Sequence, residues 1–216
     1  MRKIFVAALT IGMALIGVAR AGIVSYDFVG QVNLVFGNPF NGISPSLGDV
    51  VTGSFSYDTS VVGTTTSNHP GALSYAEAQP RFFSITLDGG SFHSVSSYDA
   101  RMENNNPYDA ITLEDDSPLM NGSAPIAGFS SIYFQLDDST GSVFPDRNLP
   151  ATLDLAKFTS AFGEIATVSG GYYSGVTFTV DSLTAVPEPG VPGLLLSALV
   201  VRFLRFGQKR KLERAK

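Results

Sequence analysis

Between residues 22 and 185 the apolar positions recur every second residue rather than every third or fourth. Tyr26, Phe28, Val32, Leu34 and Phe36 alternate with Asp27, Gln31 and Asn33, the pattern of a strand that buries one face. Residues 50–57 repeat it, with Val51, Gly53, Phe55 and Tyr57 set against Thr52, Ser54 and Ser56, and Phe83, Ile85 and Leu87 are interleaved with Ser84 and Thr86. Residues 110–114, 132–136 and 176–180 show the same period, the last with Thr177 and Thr179 on the polar side. Turn-forming residues crowd the intervals 37–48, 59–71, 88–90, 104–107, 121–122 and 170–171. Short strands at this spacing predict an all-β domain, an antiparallel β-sandwich of jelly-roll type with about eight to eleven strands. A helical turn is expected over residues 153–162, where Leu155 and Phe158 share one side.

An apolar run near each end departs from this period. Met1-Arg2-Lys3 precedes a largely apolar region of fifteen residues, 4–18, and Ala19-Arg20-Ala21 follows with the small-x-small form of a cleavage site. This is the layout of a secretory signal over residues 1–21, read by the Sec translocon and cut by signal peptidase after Ala21. The alternative, an uncleaved N-terminal anchor, needs a longer run than this. At the other end Pro187-Glu188-Pro189 precedes an apolar run, 191–201, and then Arg202, Arg205, Lys209, Arg210, Lys211, Arg214 and Lys216. Proline fixes φ and extends the residue before it, so residues 186–189 are expected to be extended, with Pro192 in the first turn of a helix. Eleven largely apolar residues fall short of the roughly 20 that span a bilayer. The prediction is a short, weakly held C-terminal transmembrane helix with its basic end in the cytoplasm.

The order of these three parts, over residues 186–216, resembles the PEP-CTERM sorting signal of Gram-negative bacteria. The resemblance implies handling by an exosortase, a transient stay in the inner membrane and delivery to the cell surface or the extracellular matrix, where exopolysaccharide is the expected associate. Residues 47–58, Leu47-Gly48-Asp49-Val50-Val51-Thr52-Gly53-Ser54-Phe55-Ser56-Tyr57-Asp58, resemble a strand found near the front of exported proteins with such tails. Neither resemblance implies an activity.

Residues 22–185 make 164 residues, one domain's length, long enough to bury roughly 70% of the surface its unfolded chain exposes. The chain has no cysteine, so the fold draws nothing from an oxidising compartment. The overall charge of −5 hides a division. Within the domain the bases are Arg81, Arg101, Arg147 and Lys157 against seventeen acids, a net charge of −13. Such a domain is a poor partner for nucleic acid, which needs clustered Lys and Arg.

Candidate chemistry is sparse. His69 and His93 are the two histidines, and neither sits in a nucleophile elbow, a metalloprotease helix or a phosphate loop. Two acidic runs, Glu114-Asp115-Asp116 and Asp137-Asp138, each follow an apolar strand. They are candidate calcium ligands, because calcium takes about six to eight oxygens, or else solvated acids; no other cofactor is expected. Sugar stacking favours tryptophan, which the chain lacks; Tyr133, Tyr172 and Tyr173 are the candidate substitutes. A glycan hydrolase would need two carboxyls roughly 5 to 9.5 Å apart across a cleft. The expected function is that of a non-enzymatic exported protein of the cell surface or matrix. The alternatives are a secreted carbohydrate-binding module and, behind it, a hydrolase.

Overall fold

The computed structural model describes residues 22–37, 43–66, 69–75, 82–94, 99–105, 108–116, 119–126, 129–169 and 171–187. The signal segment with Ala19 and Ala21, the motif residues Glu188 and Pro189, and the bases Arg202, Arg205, Lys209, Arg210 and Lys211 lie outside them, as do both expected terminal helices. Among the described residues no helix is long and apolar enough to cross a membrane.

Among the described residues the period-two pattern becomes thirteen strands. β1 (Ile23–Phe36) and β2 (Val50–Asp58) pair with Phe28 opposite Gly53. β3 (Thr64–Thr66) pairs with β4 (His69–Ser74), and β5 (Phe82–Leu87) with β6 (Gly90–His93). β7 (Asp99–Asn105) and β8 (Tyr108–Asp115) form the next hairpin, then the two-residue strands β9 (Met120–Asn121) and β10 (Ala124–Pro125). Three longer strands, β11 (Phe129–Asp138), β12 (Ser160–Ser169) and β13 (Tyr172–Val186), complete the domain. All belong to one curled antiparallel sheet in the order β10-β9-β6-β5-β2-β1-β13-β12-β11-β8-β7-β4-β3.

The strand count exceeds the expectation because segments rich in turn residues also carry strands. β3 lies within 59–71 and β4 begins there, and β9 and β10 flank Gly122-Ser123. The helical turn expected over 153–162 shrinks to a 3-10 turn, Leu155–Lys157, capped by Asp154 Oδ1, which accepts from the Ala156 N–H at 3.2 Å. From Ser160 the chain is β12, since Gly163 and the β-branched Ile165, Thr167 and Val168 disfavour a helix.

The sheet closes over a core of aromatic rings. Phe28 on β1 stacks on Phe178 of the neighbouring β13 at 5.9 Å, and lies 5.1 Å from Phe134 on β11. Each of the first two rings occupies the space above a glycine. Phe28 faces Gly53 and Phe178 faces Gly163 in the strand register, and a Cβ on either glycine would fall 2.2 or 2.3 Å from the ring. Burying a phenylalanine side chain contributes about 1.5–3 kcal/mol, so the two glycines are the means by which two large rings fit within one layer.

One side of this core is covered by the irregular residues 139–159. Phe144 and Leu149 are buried, and Val143, Leu153 and Phe158 pack against the core cluster. Three tyrosines hold this segment by its backbone. Tyr57 donates to the Pro150 carbonyl at 2.8 Å, Tyr75 donates to the Arg147 carbonyl, and the Leu153 N–H donates to the Tyr26 hydroxyl at 2.7 Å. A polar row, Asn104, Asp109 and Asp138, continues the attachment. Asn104 Nδ2 donates to the Phe144 carbonyl at 2.7 Å, and Asp109 Oδ2 accepts from the Val143 and Phe144 N–H groups at 2.9 Å.

Candidate functional site

Strands β13, β12, β11, β8 and β7 send alternate side chains inward and outward. Phe178, Ile165, Ile132, Phe134, Leu113 and Met102 take inner positions and are fully buried. The residues between them form an outer face, and the register sorts these into three transverse rows. The first is Thr177, Glu164, Tyr133, Glu114 and Asp99; the second is Thr179, Phe162, Gln135, Thr112 and Arg101; the third is Ser160, Asp137, Ala110 and Glu103. Neighbours within a row are separated by about 4.8 Å, one strand spacing. No single stretch of sequence contains a row.

Side-chain bonds fix this face. Thr112 Oγ1 donates to Gln135 Oε1 at 3.4 Å, and Gln135 Nε2 donates to Asp137 Oδ1 at 2.5 Å and to the Tyr108 hydroxyl at 3.0 Å. Tyr108 itself donates to Asp137 Oδ1 at 2.7 Å. Arg101 lies 3.7 Å from a Glu103 carboxylate oxygen and 3.9 Å from one of Glu114. On the far side the Tyr173 hydroxyl donates to Glu164 Oε1, while its ring stacks on Phe36 at 5.0 Å. Gly175 leaves room for Phe36, whose Cζ would be 2.8 Å from an added Cβ. The Tyr133 and Phe162 rings are tilted 6.0 Å apart in the middle of the face.

The electrostatics keep the phenols as donors. Burial pushes Tyr133 up to about 12, and burial with the bond to Glu164 pushes Tyr173 up to about 12. Burial, then the Asp137 partner, raises Tyr108 further. Glu114 is also raised, first by burial and then by the neighbouring Asp116. The result is a surface of aromatic rings, neutral hydroxyls, an amide and carboxylates.

Strand alternation separates the expected acidic clusters. Glu114 faces outward, Asp115 is buried on the inner side, and Asp116 is exposed beyond the strand end. Asp137 likewise joins the outer face while Asp138 turns inward. Asp138 then accepts from Thr140 and Ser142 backbone N–H groups at 3.0 and 2.8 Å, and these bonds lower its carboxyl to about 2. Among the described residues no group of three or more His, Asp or Glu is placed to hold a metal ion. The three candidate tyrosines also divide. Tyr133 and Tyr173 share the outer face with Glu164, whereas Tyr172, 73% exposed, points away from its neighbour at the start of β13. His93 is half-buried on β6, away from these rows.

Sequence reasoning missed Glu164, Phe162, Gln135, Tyr108 and Phe36. Their period-two spacing is visible, but the register that aligns them is not. Residues 47–58 prove to be occupied with structure: Val51, Phe55 and Tyr57 are buried, Gly53 makes room for Phe28, and Asp58 Oδ1 accepts from the Ser60 N–H at 2.8 Å. A separate cavity of about 370 Å³ lies among residues 143–158, lined in part by Phe144, Phe158, Lys157 and Asp146. Compared with known proteins, the chain matches no family model, no curated protein and no solved structure.

Proposed function

We propose that this is an exported, non-enzymatic protein of the cell surface or extracellular matrix, whose domain contacts polysaccharide through the outer face of β13, β12, β11, β8 and β7. The observation that carries the reading is the shared placement of Tyr133, Phe162 and Tyr173 with Glu164, Gln135 and Asp137 on one sheet face. Aromatic rings there offer stacking area, and the polar groups between them offer bonds to hydroxyls. The reading of the ends supplies the route: Sec translocation, removal of residues 1–21, a pause in the inner membrane on a short C-terminal helix, and an exosortase acting at Pro187-Glu188-Pro189. The curled sheet serves as a sandwich of jelly-roll type, its two halves meeting through Phe28, Phe55 and Phe134.

A non-enzymatic role is supported by the shape of the face. The outer surface of a curled sheet is convex, whereas glycoside hydrolysis needs carboxyls facing one another across a cleft. The test is retention of the purified full chain on a panel of insoluble polysaccharides. Retention by at least one polymer, lost in Tyr133→Ala with Tyr173→Ala and kept in Tyr172→Ala, is expected. Equal behaviour of all variants contradicts the assignment of this face.

A further inference from the structure

The charge on the outer face is one-sided. Glu164, Glu114 and Asp99 share the first row and Asp137 and Glu103 the third, while Arg101 is the guanidinium among them. Arg101 is already engaged with Glu103 and Glu114. In the first row Tyr133 stands directly between Glu164 and Glu114, one strand spacing, about 4.8 Å, from each.

We propose that Glu164, Tyr133 and Glu114 form a subsite for a protonated amino sugar within an extended cationic polysaccharide. The inference rests on the reading of this face as a polysaccharide surface and names the class of polymer it takes. An ammonium group above the Tyr133 ring meets the negative face of the π-system and two carboxylates at once. Asp99 continues the row beyond Glu114, so a polymer running across the strands meets a further carboxylate two spacings from Tyr133. A polyuronate would meet like charge along the same path. A neutral glycan would stack, but it would cover Glu164, whose hydrogen-bond partner is the neutral Tyr173 hydroxyl, without offering a counter-charge, and burying such a carboxylate is costly.

Peptide partners are disfavoured by the sheet itself. A peptide usually binds a sheet by adding a strand at an open edge. Here β12, β11, β8 and β7 are each hydrogen-bonded on both sides, and the edges of the sheet are β10 and β3. What this face offers is side chains alone, and Phe162, Gln135 and Tyr173 suit ring faces and hydroxyls.

The experiment titrates the purified full chain, in mildly acidic low-salt buffer, with oligosaccharides of equal length: glucosamine, N-acetylglucosamine, neutral glucan and galacturonate, with oligolysine alongside. The glucosamine oligomer is expected to bind about tenfold or more tighter than the acetylated one, a difference that corresponds to one ammonium contact. Glu164→Gln with Glu114→Gln should abolish that preference. Asp27→Asn with Asp88→Asn removes the same charge elsewhere and should retain it, which separates a subsite from a diffuse field. Equal binding of amino and acetylated oligomers, still lost in Tyr133→Ala, overturns the ammonium subsite and leaves the polysaccharide face standing. Failure of every glycan to bind overturns both. Oligolysine binding as tightly as oligoglucosamine, and lost in the same Gln pair, overturns the glycan in favour of a basic peptide.

Discussion

Phe55 and Phe134 lie four strand steps apart in the sheet, on β2 and β11, yet their ring centroids are 4.9 Å apart. In a flat sheet four steps of about 4.8 Å would separate them by about 19 Å. The contact therefore measures the curl that turns one continuous sheet into a closed core. Phe55→Leu and Phe134→Leu should each cost about 1–2 kcal/mol, and their double-mutant cycle should show a coupling of about 0.5–1.5 kcal/mol. Chemical denaturation reads all four terms. Strict additivity would mean that the two halves of the sheet do not meet there.

The glycines beneath the rings give a second expectation. Gly163→Ala places a Cβ 2.3 Å from Phe178 Cζ and 2.6 Å from the Tyr133 carbonyl oxygen, and the latter is backbone. Overpacking of this kind costs about 1–3 kcal/mol or more. Gly89→Ala is a useful contrast, since nothing lies within 4 Å of its would-be Cβ and its φ of +75° alone resists the change. Thermal melting of both should show the larger loss for Gly163→Ala.

Two carboxyls give opposite pH signatures. Asp138 is lowered to about 2 by the Ser142 and Thr140 N–H groups, against about 3.9 in an unfolded chain. Its contribution is complete above the unfolded value and drains away as pH falls from about 4 towards about 2. Glu114 is raised by burial and by Asp116, so its contribution is complete at low pH and is lost as pH rises through its folded value. Asp138→Asn should therefore flatten the acid limb of a urea-midpoint profile. Glu114→Gln should raise the midpoint near neutrality and leave it unchanged in acid. A lower midpoint for Glu114→Gln at neutral pH would show that the Arg101 pairing outweighs desolvation.

The route is tested by mass. Protein recovered from the envelope or medium should begin at Gly22 and lack the chain beyond Pro187-Glu188-Pro189. Leu196→Arg places a charge in the apolar run at a cost of about 2.5–3.5 kcal/mol of insertion, so unprocessed protein should appear in the periplasm. Surface protein that keeps Lys216 would speak for a retained anchor instead.

How much of this was legible in the sequence follows from the range of each interaction. β1, β2, β5, β8, β11 and β13 announce themselves through alternation within a few residues, because burial of one face leaves a local period. β3 and β4 do not, since they are short and set among Gly, Pro and Ser, so neither offers enough alternating positions to show a period. The tyrosine attachments of residues 139–159 were invisible because their partners are mostly backbone atoms, up to 127 positions away for Tyr26 and Leu153. The acidic runs divide for a related reason. Adjacency in sequence suggested convergence, whereas adjacency in a strand means opposite faces. The Glu164, Tyr133 and Glu114 row is spread over three strands and exists only through register.

Hydroxyl-radical footprinting of the full chain, with and without the polysaccharide it retains best, reads directly where the polymer sits. Bound polymer should protect Tyr133, Phe162 and Tyr173 together and leave Tyr172 and Phe82 as reactive as before. Protection centred on Phe144 and Phe158, beside the cavity among residues 143–158, with Tyr133 and Tyr173 unchanged, would contradict the account.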